Sequence, residues 1–296
     1  DSHISFRTCK TLRAPNGGEF ILSTGTLYLC ATPIGNLEDV SLRLIKVLTR
    51  CEIIACEDTR HTLKLLNHLE LKKRLISYHE HNEQQRTQEL IGFLEEGMDI
   101  ALLSDAGMPL ISDPGAVIVK KARERQINVT VVPGPNAALC ALVLSGMDCA
   151  RFVFEGFLPV KGKERLGRLQ ALAAEQRTAI LYESPHRLED TIKQLAQYCP
   201  GRELALIREL TKLHEECLKI TLDSNIIGLF GPESQPRGEY VLVLQGALEK
   251  QTYPEDIKAH VLALMASGMD KKEAVKTAAR QRGVSKDSVY KECLEL

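Results

Sequence analysis

From about Thr26 onward, short apolar runs alternate with stretches whose apolar positions recur at helical spacing. Residues 27–31, 53–56, 75–78, 100–103 and 128–132 read as strands, each too short for a helix and bounded by polar or turn residues. Between them, Leu42, Ile45 and Leu48 share one helical face, a second helix runs through Leu90 and Leu94, and another reaches about Arg125. Strand and helix in turn imply a mainly parallel sheet covered on both faces.

The rhythm changes at Gly146-Met147-Asp148. Strands are expected at 152–154 and 178–182, then at 203–207, 216–222 and 239–244 with fewer helices between them, which predicts a mixed, partly antiparallel sheet. The fold class is therefore α/β, with one unit over 25–148, a second over 149–249 and a helical tail over 250–296, entered through a linker at 251–254. In the tail, Ile257, Val261, Leu264 and Met265 form one stripe, Asp270 and Glu273 have capping-box spacing, and Ala274, Val275, Ala278 and Ala279 face one way. After a turn at Arg282-Gly283-Val284, Ser285 can cap a last helix bearing Val289, Tyr290, Cys293 and Leu294, so the tail resembles a helix-turn-helix. Residues 1–24 lack this periodicity and contain the linker-like Asn16-Gly17-Gly18; they are expected to be vector-derived or disordered.

Composition narrows the class without naming a chemistry. At 296 residues, 44% hydrophobic and 26% charged, the chain reads as globular, and a net charge of -1 excludes a uniformly basic protein. The tail is the local exception, with seven Lys/Arg against three acids between Asp270 and Lys291. A basic recognition surface and a solvated helical face are both consistent with that surplus. No apolar run reaches the length of a membrane span. Nine cysteines without a C-x-x-C pair, and no visible signal peptide, point to reduced thiols in a cytoplasmic protein with no metal framework.

The most informative stretch is Ser104-Asp105-Ala106-Gly107-Met108-Pro109-Leu110-Ile111-Ser112-Asp113-Pro114-Gly115, where a buried strand ends on a carboxylate and enters a small-residue loop. Asp113 and Pro114 are expected to cap and start the next helix. A comparable loop follows at Val132-Pro133-Gly134-Pro135-Asn136-Ala137. Loops at the carboxyl ends of strands are where open α/β sheets bind ligands, and small residues let a ligand approach bare backbone.

Glu57-Asp58-Thr59-Arg60 and Glu183-Ser184-Pro185-His186-Arg187 each end a strand with acids and bases together, as catalytic side chains or as braces of a cleft. His79 and His81 alternate along a strand and so point to opposite faces, without a third metal ligand. Residues 161–168, with Lys161, Lys163, Arg165 and Arg168, read as a basic loop able to follow a phosphate backbone. Neither G-x-x-x-x-G-K-[ST] nor a G-x-G-x-x-G after the first strand occurs, which disfavours phosphoryl transfer and dinucleotide binding.

In a fixed order the chain carries Thr32-Pro33-Ile34-Gly35-Asn36-Leu37, Glu57-Asp58-Thr59-Arg60, Ser104-Asp105-Ala106-Gly107, Val132-Pro133-Gly134-Pro135, Glu155-Gly156-Phe157-Leu158-Pro159 and Glu183-Ser184-Pro185-His186-Arg187. Over residues 25–248 it resembles the tetrapyrrole methylases, and among them the bacterial branch that 2′-O-methylates a cytidine of 16S rRNA. The resemblance implies two α/β domains with an S-adenosylmethionine cleft between them, a homodimer, and small-subunit rRNA or the small ribosomal subunit as partner. Met108 stands where relatives often carry Thr. The implied cofactor residues are Pro33, Asp105, Ala106, Gly107, Met108, Pro109, Asn136, Ala137, Phe157 and Leu158. Glu57, Asp58 and Arg60, with Glu183, His186 and Arg187 opposite, are the catalytic candidates; Lys161, Lys163, Arg165, Arg168, Lys271, Lys272 and Lys276 are the RNA-binding ones. Two other readings compete: a C-methyltransferase of a small tetrapyrrole, which has no use for a basic tail, and a non-enzymatic nucleic-acid binder, which leaves the loops at Asp105 and Pro133 unexplained.

Overall fold

Strands β3 (Thr26–Cys30), β4 (Ile53–Cys56) and β6 (Ile100–Leu103) are buried along their whole length, as continuous apolar runs require when both sheet faces are covered. In the computed structural model, which describes residues 9–13, 19–223, 238–247, 254, 256–282 and 284–293, they form the middle of a five-stranded sheet. With β5 (Arg74–Ser77) and β7 (Asn128–Val132) the order is β5-β4-β6-β3-β7, parallel throughout. Leu27, Ile53, Ile100 and Leu102 pack on one face, while Tyr28, Cys30, Ile54 and Leu103 pack on the other. Helices α1 (Leu42–Arg50), α2 (Thr59–His68), α3 (Glu83–Glu95) and α4 (Ala116–Glu124) link the strands. Ser41 caps α1 by accepting from the Leu44 N–H at 3.0 Å, and Asp58 caps α2 by accepting from that of Arg60 at 2.8 Å.

One expected cap is corrected. Helix α4 starts after Gly115, which has φ 137° and no side-chain cap, so Asp113 does not cap it and Pro114 does not open it. A carboxylate remote in sequence does that work: Glu83 Oε1 accepts from the Gly115 N–H and the Tyr78 hydroxyl, both at 3.0 Å. Asp113 is thereby left free for another role.

Helix α5 (Ala137–Ser145) lies before the rhythm change, yet Ala138, Ala141 and Leu142 pack against the second sheet. That sheet contains β8 (Phe152–Phe157), β9 (Thr178–Glu183), β10 (Glu203–Arg208), β11 (Glu216–Thr221) and β12 (Tyr240–Leu244) in the order β11-β10-β12-β9-β8. Only β8 and β9 run parallel; the other pairings are antiparallel, giving the mixed sheet that closely spaced strands predict. Its opposite face is covered by α6 (Gly162–Ala174) and α7 (Leu188–Tyr198) through Leu169, Leu172, Leu188, Ile192 and Leu195. The basic loop expected at 161–168 is instead the cap and opening turns of α6, whose buried stripe of Arg165, Leu169 and Leu172 begins within it.

The chain divides into two compact units, 1–247 and 248–296. In the first, β1 (Cys9–Arg13) and β2 (Glu19–Ser23) pair as an antiparallel ribbon that joins neither larger sheet. The second unit packs α8 (Ile257–Ala266), α9 (Lys271–Arg282) and α10 (Lys286–Glu292) around Val261, Ala274, Val275, Ala278, Ala279, Val289 and Cys293. Asp270 accepts from the Glu273 N–H at 2.8 Å and Ser285 from that of Ser288 at 3.1 Å, as the spacing predicts. Linker residues 251–253, Asn16-Gly17-Gly18, Gly283 and Leu294 lie outside the described residues. Among the described residues no helix is long and apolar enough to cross a membrane.

Candidate active site

The loops after β3 and β6 are clamped together at the carboxyl edge of the first sheet. Thr32 donates its N–H to the Gly107 carbonyl at 2.9 Å, and Gly107 returns one to Thr32 at 3.1 Å. Gly107 has φ 80°, and a Cβ there would meet Ile34 Cγ2 at 3.3 Å, so glycine permits both the turn and the approach. Leu110 and Ser112, further along the loop, also have positive φ, at 72° and 68°. Backbone held in this way at a ligand edge is a common mark of function.

A cavity of about 330 Å³ opens beside this clamp, within the range of small-ligand sites. Of the candidates named from sequence, Asp105, Ala106, Gly107, Met108, Asn136, Ala137, Phe157 and Glu183 line it. Pro109 and Leu158 do not; Leu158 belongs to the core of the second sheet, and Pro33 lines a separate cavity. Asn136 is fixed as the α5 cap, accepting from the Leu139 N–H at 3.0 Å. Tyr182 packs edge to face on Phe157 at 5.5 Å and makes an apolar wall. Asp113, Tyr182, Glu209, Lys212 and Glu239 line the cavity without having been expected to.

Carboxylates dominate the polar lining. Burial pushes the Asp113 carboxyl up to about 7; Glu57, then Asp105 and Glu239, add to the rise, and hydrogen bonding with Ser104 opposes it. Glu57 is also raised, by burial and then by Asp105 and Asp58, with His79 opposing. Among the described residues that line the cavity, Lys212 is the one cation, and it is paired with Glu209 at 3.0 Å. The cavity thus offers an apolar wall and surplus negative charge, which suits a cationic ligand with an apolar ring.

A family model described as Tetrapyrrole (Corrin/Porphyrin) Methylases matches residues 26–224. The chain belongs to the tetrapyrrole methylase family. It is 45% identical over 273 residues to a Halalkalibacterium halodurans protein named Ribosomal RNA small subunit methyltransferase I, covering 90% of this chain and 93% of that one. Proteins of the same name from Synechocystis and Escherichia coli O157:H7 are 44% and 43% identical, each over 92% of this chain and over 98% and 96% of their own. Among solved structures, diphthine synthase superposes with a TM-score of 0.59 at 13% identity over 75% of this chain and 89% of its own. Uroporphyrin-III-C-methyltransferase from Thermus thermophilus gives 0.52 at 22% identity over 74% and 94%; both likenesses concern the fold.

In this methylase the two acid-and-base clusters have different fates. Glu57 and Asp58 follow β4 and line neither cavity; the Asp58 N–H donates to Asp105 Oδ1 at 2.9 Å. Asp58 itself is half-buried, paired with Arg60 at 2.6 Å, and held below the usual carboxylate range by hydrogen bonds from Arg60. Glu183 is buried and accepts from the Thr191 hydroxyl at 2.6 Å and the Ser184 N–H at 2.9 Å, with Arg187 Nε at 3.4 Å. Arg187 in turn donates to the Leu158 carbonyl at 2.6 Å, so the pair braces β8, β9 and α7. His186 is exposed and does not line the cavity.

The expected RNA-facing cations of this methylase also separate. Arg165 is buried; its guanidinium donates to Gln194, the Pro159 carbonyl and the Thr191 hydroxyl at 2.8–2.9 Å, and a cation so engaged cannot reach phosphate. Lys161 and Lys163 are exposed, and Arg168 pairs with Glu155 at 2.8 Å. Lys272 and Lys276 lie exposed on α9 away from its buried alanines, with Lys271 half-buried. His79 and His81 lie past the end of β5 rather than on opposite faces of a strand, and their rings meet edge to face at 5.9 Å.

Proposed function

We propose that this methylase transfers the methyl group of S-adenosylmethionine to the ribose 2′-oxygen of a cytidine in 16S rRNA, in the cytoplasm. The observation that carries the reading is the acidic, aromatic-walled cavity at the clamp of Thr32 and Gly107, in a chain whose relatives of matching length are named rRNA methyltransferases. A cofactor with a sulfonium, an ammonium and an adenine ring fits that cavity: Asp113, Glu239 and Asp105 supply negative charge, and Met108, Phe157 and Tyr182 supply apolar contact. Backbone groups of the lining residues Asp105, Ala106, Met108 and Ala137 would hold its polar groups.

When bound, S-adenosylmethionine supplies a methyl group on a leaving group that needs no protonation. The chain must orient the acceptor hydroxyl, exclude water and take up the hydroxyl proton. Glu57 is suited to the last task, since burial and its acidic neighbours raise its proton affinity, while Asp58 is committed to Arg60. Lys161, Lys163 and the exposed cations of α9 would hold the RNA by its phosphates. The homodimer that the resemblance implies would cover Leu139, Val143 and Leu144, exposed along α5.

Label transfer from methyl-tritiated S-adenosylmethionine to naked 16S rRNA, small subunits and a porphyrinoid tests the reading. Label at one cytidine 2′-oxygen supports it. Label on the porphyrinoid alone would move the activity to tetrapyrrole C-methylation, and no cofactor binding would leave a nucleic-acid binder.

A further inference from the structure

A second cavity, of about 370 Å³, lies on the other side of Asp105. Its floor is apolar, from Leu37, Leu65 and Leu103, and Thr32, Pro33 and Gly35 form one wall. The opposite wall is α2, which contributes His61 and Lys64, both exposed. Asp105 is shared with the first cavity. Its two oxygens differ: Oδ1 accepts from the Asp58 N–H at 2.9 Å, whereas Oδ2 accepts no hydrogen bond among the described residues. Oδ2 stands 3.8 Å from His61 Nδ1, across the cavity's rim.

Group transfer requires donor and acceptor atoms within about 3–3.5 Å, so an acceptor site must abut the donor site. The second cavity meets that condition at Asp105. It also carries the chemistry of a nucleotide site: a carboxylate oxygen that accepts no hydrogen bond among the described residues, for a ribose hydroxyl, two cationic or cation-forming side chains for a phosphate, and an apolar floor. Lys64 has no ion-pair partner among the described residues, unlike Arg60, which Asp58 neutralises.

Resting on the rRNA-methylation reading, we propose that this second cavity seats the acceptor nucleotide, with Asp105 Oδ2 accepting from its ribose and His61 and Lys64 holding its phosphate. Asp105 then divides its work. It lines the cofactor cavity, its Oδ1 latches the loop after β4, and its Oδ2 faces the RNA.

The test is H61A/K64A, two exposed positions on α2, assayed with small subunits and 16S rRNA. KM for RNA is expected to rise about tenfold, and the salt dependence of RNA binding to fall by about 0.7 in log–log slope per lost phosphate contact. Calorimetric affinity for S-adenosylmethionine and the melting temperature should stay at wild-type values, and K64R should restore most of the Lys64 share. Wild-type KM and salt slope in the double variant would overturn the assignment. So would a loss confined to cofactor affinity, which would make His61 a positioning residue for Asp105. Wild-type protein that labels neither RNA would instead overturn the reading beneath it.

Discussion

The backbone N–H of Asp58 donates to Oδ1 of Asp105 at 2.9 Å, joining two loops 47 residues apart. The bond ties the end of β4 to the end of β6, neighbouring strands in the sheet. It therefore fixes the distance between the Glu57-Asp58 cluster and the loop after β6. Removing the acceptor would leave a partly buried amide unpaired, at a cost of about 1–3 kcal/mol. Asp105→Ala is expected to weaken S-adenosylmethionine binding about tenfold or more by calorimetry, while Asp105→Asn, which keeps an acceptor oxygen, loses less. Equal affinities for all three proteins would show that the latch does not shape the cofactor site.

Asp113 should make both stability and cofactor affinity depend on pH. Its carboxyl is raised to about 7 in the fold, against about 3.9 when unfolded. A raised carboxyl stabilises the fold fully below about pH 4 and loses that contribution as pH rises through about 7. Because Asp113 is only partly buried and solvent screens it, the effect should be on the order of 1 kcal/mol. Affinity for the cationic cofactor should move the other way, rising over the same range as the carboxylate forms. Asp113→Asn should flatten both profiles in thermal melts and calorimetry; profiles identical to wild type would exclude Asp113 as their source.

Glu57→Gln and His186→Ala should separate chemistry from surroundings. With cofactor and RNA saturating, Glu57→Gln is expected to lower kcat at least about 100-fold if it takes the hydroxyl proton, with cofactor affinity nearly unchanged. His186, exposed and away from the cavity lining, should tolerate alanine with kcat within about twofold of wild type. Full turnover in Glu57→Gln would leave orientation as the chain's main contribution.

Arg165 is expected to matter for folding rather than for RNA. Its guanidinium makes three hydrogen bonds inside the layer formed by α6, α7 and the loop after β8. Arg165→Ala should cost about 2–4 kcal/mol in denaturant unfolding, through lost charged hydrogen bonds and an unfilled volume. The salt slope of RNA binding should not change. A reduced slope at wild-type stability would return Arg165 to the RNA-facing set.

The helical tail folds around its own core, so removing residues 248–296 should spare cofactor binding. If the tail contacts phosphates, the full-length protein's RNA affinity should fall more steeply with salt than the truncated protein's. Neutralising Lys271, Lys272 and Lys276 together should reproduce part of that difference without touching the alanine stripe. Identical slopes would leave RNA binding to the first unit.

Sequence by itself determined what depends on local pattern. Five apolar runs alternating with helical stripes specified the parallel sheet, and closely spaced strands without helices specified the mixed one, because side-chain periodicity and connection length are local properties. The loops at Asp105 and Asn136, the Asp270 and Ser285 caps and the tail's buried face were legible for the same reason. Tertiary structure decided which charges are available. Asp113 was displaced from its expected cap because Glu83, 32 residues away, reaches the Gly115 amide and leaves the Asp113 carboxyl in the cavity. Arg165 and Glu183 look like surface chemistry in the sequence, yet Thr191 on α7 hydrogen-bonds both and draws them inside. Glu209, Lys212 and Glu239 carry no motif and reach the cavity only because the second sheet brings their loops beside the first. Burial and charge pairing across long sequence distances are set by packing, and no local pattern encodes them.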